Sequence, residues 1–263
     1  MLERLFRTIA ENDYTATPPR AYGPFHLIFT IVGFALCVLL AILLRKASDR
    51  VSRWVVFGCG AFLAVTEVYK QLFYYFAMDT TVHYHWWIFP FQLCSVPMYL
   101  CLIAPFLKNG LVKNTMYDFM YMFNLLGGAI AFFEPSGLLH SHWTLTLHAF
   151  IWHMLLVFVG LHLAISGRAG NRMKNYWSAT VAFVIFAAMA FIINLIFRDV
   201  SGGSINMFYV GPSNSPLIVF KTICETLGWY VNTPIYLVAV SLGAFVVFLP
   251  SYIIGKIKRK NAK

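Results

Sequence analysis

Cys94 and His153 are the residues of this chain best suited to covalent chemistry. A thiol whose proton passes to a neighbouring imidazole can attack an ester carbonyl and hold the acyl group as a thioester. Each lies in an apolar stretch, where lipid penalises polar atoms unless other helices or water surround them. Cys94 belongs to the run from Trp86 to Cys101, apolar enough to cross a bilayer yet carrying Pro90, Gln92, Ser95 and Pro97 near one level. Other runs bring Glu67, Lys70, Asn124, His148 and His153 to nearly the same depth. Blander readings stand beside the chemical one. A buried cysteine is usually small and inert, a lone membrane histidine usually bonds a neighbouring helix, and Glu67 and Lys70, three apart, can neutralise each other.

The elements that must position these residues follow from composition. Of 263 residues 60% are hydrophobic, 17% aromatic and 11% charged, too little charge for the surface of a soluble domain of this size. The expected fold class is all-α: a polytopic membrane protein with seven transmembrane helices. The spans are placed at about Phe25–Leu44, Trp54–Ala77, Trp86–Phe106, Tyr117–Phe133, Trp143–Ile165, Trp177–Phe197 and Thr233–Ile254, each near the roughly 17–25 residues a crossing needs. Tryptophans 54, 86, 143 and 177 open four of them, as interfacial anchors do. A segment 1–24 is expected to be interfacial or loosely ordered, 25–254 to form the membrane domain, and 255–263 a basic tail. Met1 to Arg20 holds Glu3, Glu11 and Asp13 and lacks an apolar core, so the first hydrophobic segment is expected to stay as a helix. The loop 198–232 contains semi-apolar stretches and reads as a re-entrant segment or a hydrophobic loop.

The formal charge of +10 resembles that of a nucleic-acid binder until its placement is considered. Arg45, Lys46, Arg50 and Arg53 follow span one, Lys108 and Lys113 span three, Arg168, Arg172 and Lys174 span five, and Lys256 to Lys260 span seven. The charge therefore reports topology, and the positive-inside rule puts the N-terminus outside and the C-terminus in the cytoplasm, in the cell membrane. No nucleic-acid partner is expected. The five cysteines show no CxxC spacing and suggest no disulfide framework.

At about 1.5 Å per residue, Cys94 lies about 12 Å below Trp86, His148 and His153 about 8 and 15 Å below Trp143, Lys70 and Glu67 about 10 and 15 Å from Ala77, and Asn124 about 14 Å from Phe133. These residues, with Gln92, Ser95 and Asn206, are the expected lining of a polar cavity in the outer half of the bilayer. His148 and His153 are five apart and point about 140° from each other, so one is expected to reach a given site. Asn124, Gln92 and Ser95 are candidate donors to an oxyanion. The intramembrane site calls for no metal and no cofactor. In the loops, Asp79, His83, His85, Glu134, His140 and His142 mix imidazoles with carboxylates, a combination that suits a divalent metal but also ordinary solvated loops.

The stretch Phe89-Pro90-Phe91-Gln92-Leu93-Cys94-Ser95 resembles a motif of the bacterial YwaF family of integral membrane proteins. Asn124 to Ala129 with Glu134-Pro135, Phe150 to His153, and Asn206 to Tyr209 with Pro216 and Gly228-Trp229-Tyr230 resemble further segments of that family in the same order. Gln92 stands where many relatives carry histidine, and Glu134 where threonine usually precedes the proline. The family is similar, more distantly, to the transmembrane protein 164 acyltransferases and is thought akin to androgen-induced lipid hydrolases. By position, the resemblance implies Cys94 as acyl acceptor and His153 as its base, with membrane phospholipids as partners.

Two functions follow as expectations. The first is a phospholipid acyltransferase or acyl hydrolase working through Cys94 and His153. The alternative is a transporter or receptor in which Glu67, Lys70 and His153 bind a polar or lipid ligand or relay protons.

Overall fold

The computed structural model describes residues 1–261; the last two residues of the expected basic tail lie outside the described residues. The architecture is all-α. In chain order the helices are α1 (Leu2–Asp13), α2 (Pro24–Leu43), α3 (Asp49–Ala77), α4 (Val96–Ile103), α5 (Leu111–Phe119), α6 (Leu125–Phe133), α7 (Trp143–Ile165), α8 (Met173–Ile196), α9 (Ile218–Leu227) and α10 (Trp229–Asn261). A π-helical segment, Met120–Asn124, joins α5 to α6, so that Leu111–Phe133 is one rod. Among the described residues six helices are long and apolar enough to cross a membrane, α5 and α6 counting as one.

The expected third span departs from this pattern. Trp86–Phe106 is not one helix but a 3₁₀ turn at Trp86–Ile88, an irregular stretch 89–95, the short α4, and a second 3₁₀ turn at Ala104–Phe106. The cause is local. Phe89, preceding Pro90, takes the extended conformation (φ −48°, ψ 132°) that a following proline ring imposes, and Pro90 has no N–H to give to a helix. The segment still runs the length of α3. Trp87 packs edge-on against Tyr74 near one end of α3, and Phe106 against Trp54 near the other, with ring centroids 5.2 and 5.9 Å apart. A third of this crossing is therefore non-helical backbone.

α7 is the central post. It packs against α2, α3 and α6 and buries residues on all sides, including Phe150, Trp152, Leu156 and Val159. Gly160 lets the α5–α6 rod approach closely, because a Cβ there would meet Leu125 Cβ at 2.7 Å. Gly60 does the same for α4, where a Cβ would lie 2.7 Å from Cys101 Cβ. By contrast α2 and α10 expose rows of Leu, Ile and Val, the surface expected toward lipid. The N-terminal segment is a docked helix rather than a loose tail. Phe6 of α1 packs on Tyr69 and Phe76, and Asp13 accepts from the Thr144 backbone N–H at 2.9 Å and from its hydroxyl at 2.7 Å, capping the start of α7 from another element.

Two other histidines take the structural role that membrane histidines usually have. His162 Nε2 bonds Ser52 Oγ at 2.7 Å, and His26 links the Tyr22 N–H to the Phe132 carbonyl at 3.1 Å on each side.

Candidate functional site

The broken third crossing opens a cavity of about 480 Å³ between α3, the stretch 86–95, α7 and the loop 204–216. Its lining includes Lys70, Gln92, Cys94, Ser95, His148, His153 and Asn206 of the residues expected there. Two others are not on it. Glu67 lies behind Lys70, with Oε2 2.9 Å from Lys70 Nζ and Oε1 accepting from Gln71 Nε2 at 2.6 Å. Asn124 is fully buried in the π segment, both amide atoms without a partner, away from the cavity wall. It is thus badly placed to donate to an oxyanion formed at Cys94. His148 and His153 both reach the cavity, contrary to the expectation that one would, because the cavity lies along a broad face of α7 on which Leu145, Ala149 and Trp152 fall between them.

Irregular backbone at membrane depth must have its polar groups met by protein, and here named side chains do so. Gln71 donates to the Ile88 carbonyl at 2.8 Å, Tyr99 to Pro90 O at 2.9 Å and Trp152 Nε1 to Cys94 O at 2.9 Å. Gln92 ties the stretch to the distant loop, donating from Nε2 to Asn206 O at 2.9 Å while Oε1 accepts from Phe208 N at 2.8 Å. From the other side Asn194 of α8 accepts from Met207 N at 2.7 Å and donates to Met207 O at 3.0 Å. Between these two amides sits a turn in which Phe208 and Tyr209 hold φ of 55° and 57°, a left-handed conformation costing such residues about 1–2 kcal/mol each. The clamp holds that turn and presents Tyr209 to the cavity.

Gln92 is therefore committed at both ends of its amide and is not a free oxyanion donor. Replacing it with leucine leaves a buried carbonyl and a buried N–H unpaired, at about 1–3 kcal/mol each. A clear fall in the melting temperature of the purified protein is expected for Gln92→Leu; an unchanged melting temperature contradicts the clamp.

Around the thiol the arrangement is specific. Cys94 sits two residues before α4, among Leu63, Met98, Trp152 and Leu156. The N–H of Cys94 donates to no carbonyl among the described residues and so is available near the sulfur. His153 Nδ1 lies 2.7 Å from the Ala149 carbonyl oxygen. A carbonyl only accepts, so Nδ1 carries the proton, and in the neutral ring Nε2 is the free lone pair. No hydrogen bond joins Cys94 Sγ directly to His153 among the described residues; both line the same cavity. Lys70 Nζ stands 5.8 Å over the Trp152 ring, and among the described residues it is the one Lys or Arg on the cavity wall.

A model of the TMEM164 family matches residues 21–252. The chain belongs to the TMEM164 family. The match takes in every residue of the cavity wall and ends within α10. No curated protein and no solved structure matches the chain. As a member of the TMEM164 family it is a multi-pass membrane protein, in agreement with its six long apolar helices.

Sequence reasoning missed three residues that shape this TMEM164-family site: Trp152, Tyr209 and Asn194. Asn194 carried a usable signal, a lone amide in the apolar run of α8, of the kind that singled out Asn124. His140, which the sequence marked as a loop residue suited to a metal, lines the cavity at its loop edge, where burial, then the neighbouring His142, lowers its pKa. The other loop residues separate: His142 meets Phe73 edge-on beside Asp13, Glu134 bonds Ser136, and Asp79, His83 and His85 converge.

Proposed function

We propose that this protein transfers or hydrolyses phospholipid acyl chains through a Cys94 thioester, with His153 as the proton carrier. The observation that supports it best is a shared cavity wall: the Cys94 thiol and an imidazole whose Nδ1 is committed to Ala149 O, leaving Nε2 free as base. The volume, about 480 Å³, suits the ester and glycerol portion of a lipid, with the chains left in the membrane.

In the first half-reaction the thiol proton passes to His153 Nε2, directly or through one water, and Sγ attacks the ester carbonyl. The tetrahedral oxyanion takes a hydrogen bond from the Cys94 N–H and from Ser95. Collapse breaks the ester C–O bond, the imidazolium protonates the leaving alkoxide, and lysophospholipid departs from an acylated Cys94. In the second half-reaction His153 takes the proton of an acceptor hydroxyl, on a lipid or on water, which attacks the thioester and returns the thiol. We assign the lipid phosphate to Lys70. Its ammonium stays paired with Glu67 Oε2 at 2.9 Å and offers the phosphate its remaining N–H donors. Kinship with the bacterial YwaF group, residence in the cell membrane, and an orientation with the histidine-bearing end outside and the basic loops in the cytoplasm belong to this proposal.

The test is intact-protein mass spectrometry of the purified protein after incubation with defined phospholipids. The expected result is an acyl mass adduct removed by hydroxylamine, accompanied by lysolipid. A protein that forms neither adduct nor lysolipid with any glycerophospholipid class is not a thioester enzyme.

A further inference from the structure

The loop between α3 and the Trp86–Ile88 turn brings three side chains to one point. Asp79 Oδ2 lies 3.2 Å from His83 Nε2 and 3.3 Å from His85 Nε2, and the three ligand atoms lie within 4.8 Å of one another. Hydrogen bonding alone satisfies this grouping poorly. His83 Nδ1 is 3.0 Å from the Thr81 carbonyl oxygen, so that nitrogen carries the proton and, in a neutral ring, Nε2 turns a lone pair toward the carboxylate. Two acceptors at that distance repel. A second proton on His83 would relieve the contact, and it is the natural competitor of a metal. A divalent cation between the three groups uses every lone pair at once.

The dimensions fit. Bonds of about 2.0–2.2 Å in a tetrahedral shell place neighbouring ligand atoms about 3.3–3.5 Å apart, and the two carboxylate–imidazole separations are 3.2 and 3.3 Å. The bond from His83 Nδ1 to a backbone carbonyl is the outer-shell contact that metal-ligating histidines usually make. The loop is also braced from α1, where Arg7, held by Glu3 at 2.9 Å, donates to the carbonyls of Asp79 at 3.1 Å and Thr80 at 3.3 Å. Two imidazoles and one carboxylate favour zinc-class ions over magnesium or calcium.

We propose that Asp79, His83 and His85 bind one zinc-class divalent cation, with the remaining position open to water, and that the ion stiffens the rim of the cavity. The connection to the rim is short. His85 packs against Tyr74 with centroids 5.6 Å apart, and Tyr74 and Trp87 both line the cavity. This site is independent of the acyl-transfer reading, and either can fail alone.

The test uses the full chain in detergent micelles, stripped with a chelator and titrated with Zn²⁺ by calorimetry, and with Co²⁺ followed by its visible d–d absorption. Wild type is expected to bind one zinc per chain, to show four-coordinate Co²⁺ bands that zinc displaces, and to melt at a higher temperature with zinc than with magnesium. His83→Gln and His85→Gln are each expected to weaken zinc binding by about 100-fold or more, since even outer-shell changes cost about 10–100-fold. His142→Gln should leave zinc binding unchanged. Asp79→Asn serves as a second, nearly isosteric variant, and equal metal-free melting temperatures show that the variants fold. Absence of saturable zinc binding by wild type, or undiminished binding by the His83→Gln/His85→Gln double variant, overturns the proposal.

Discussion

Cys94→Ser is expected to lose acyl turnover by about 10³-fold or more, and to lose the hydroxylamine-sensitive adduct altogether. Serine keeps the size and the neighbouring N–H but presents a hydroxyl, which a single imidazole activates poorly outside a complete triad. The loss should appear in kcat with little change in KM, because the sulfur acts at the reacting carbonyl and contributes little to holding the lipid. Folding should be unaffected. Cys94 packs against Met98 and Trp152 through its small side chain, while the Trp152 bond goes to its backbone carbonyl, which serine also has. The same variant separates the two functional classes. A transporter or receptor built around Lys70 and His153 tolerates a sulfur-to-oxygen change, so full activity of any kind in Cys94→Ser removes the covalent mechanism.

Much of this molecule is legible in its sequence. The Trp143–Ile165 helix has the bounds its tryptophan and hydropathy assign, because its signals are local. The pairing of Glu67 with Lys70 follows from a spacing of three on one helix face. The third crossing was misread for an equally physical reason. Apolar length fixes how far a chain can travel through lipid, but helicity there depends on whether its backbone groups find partners elsewhere. Pro90 and Pro97 were visible; Gln71, Tyr99, Trp152 and Gln92 as the suppliers of those partners were not, because each acts on backbone atoms remote in sequence or across a turn. The same holds for the loop 198–232. Its semi-apolar character announced burial, yet the turn at Met207–Tyr209 exists only because amides from two other elements clamp it.

Depth counting along ideal helices worked for residues that share a cavity and failed where facing direction decides. Asn124 has the right depth and the wrong azimuth. It sits in a π segment against Gly160 of α7, where the register is shifted and the amide turns into the bundle. Gln92 has the right place, but its chemistry is already committed to the clamp. Cys94 and His153 survive both filters, since each presents a reactive atom that the fold does not otherwise use.

His153→Ala is expected to lower kcat by about 10²–10⁴-fold, the usual worth of a positioned general base, with the acyl adduct on Cys94 forming correspondingly slowly. The prediction has an internal rival, because His148 also lines the cavity, and its Nε2 is buried without a partner. What separates the two is the bond to Ala149, which fixes the tautomer and ring orientation of His153 before substrate arrives. His148 has no such contact among the described residues and is held by stacking on Trp152, with centroids 5.3 Å apart. His148→Ala should therefore change KM or stability more than kcat. A second readout isolates the proton step: alkylation of Cys94 by a small membrane-permeant electrophile should slow in His153→Ala and stay near wild type in His148→Ala. The reverse pattern would move the base to His148.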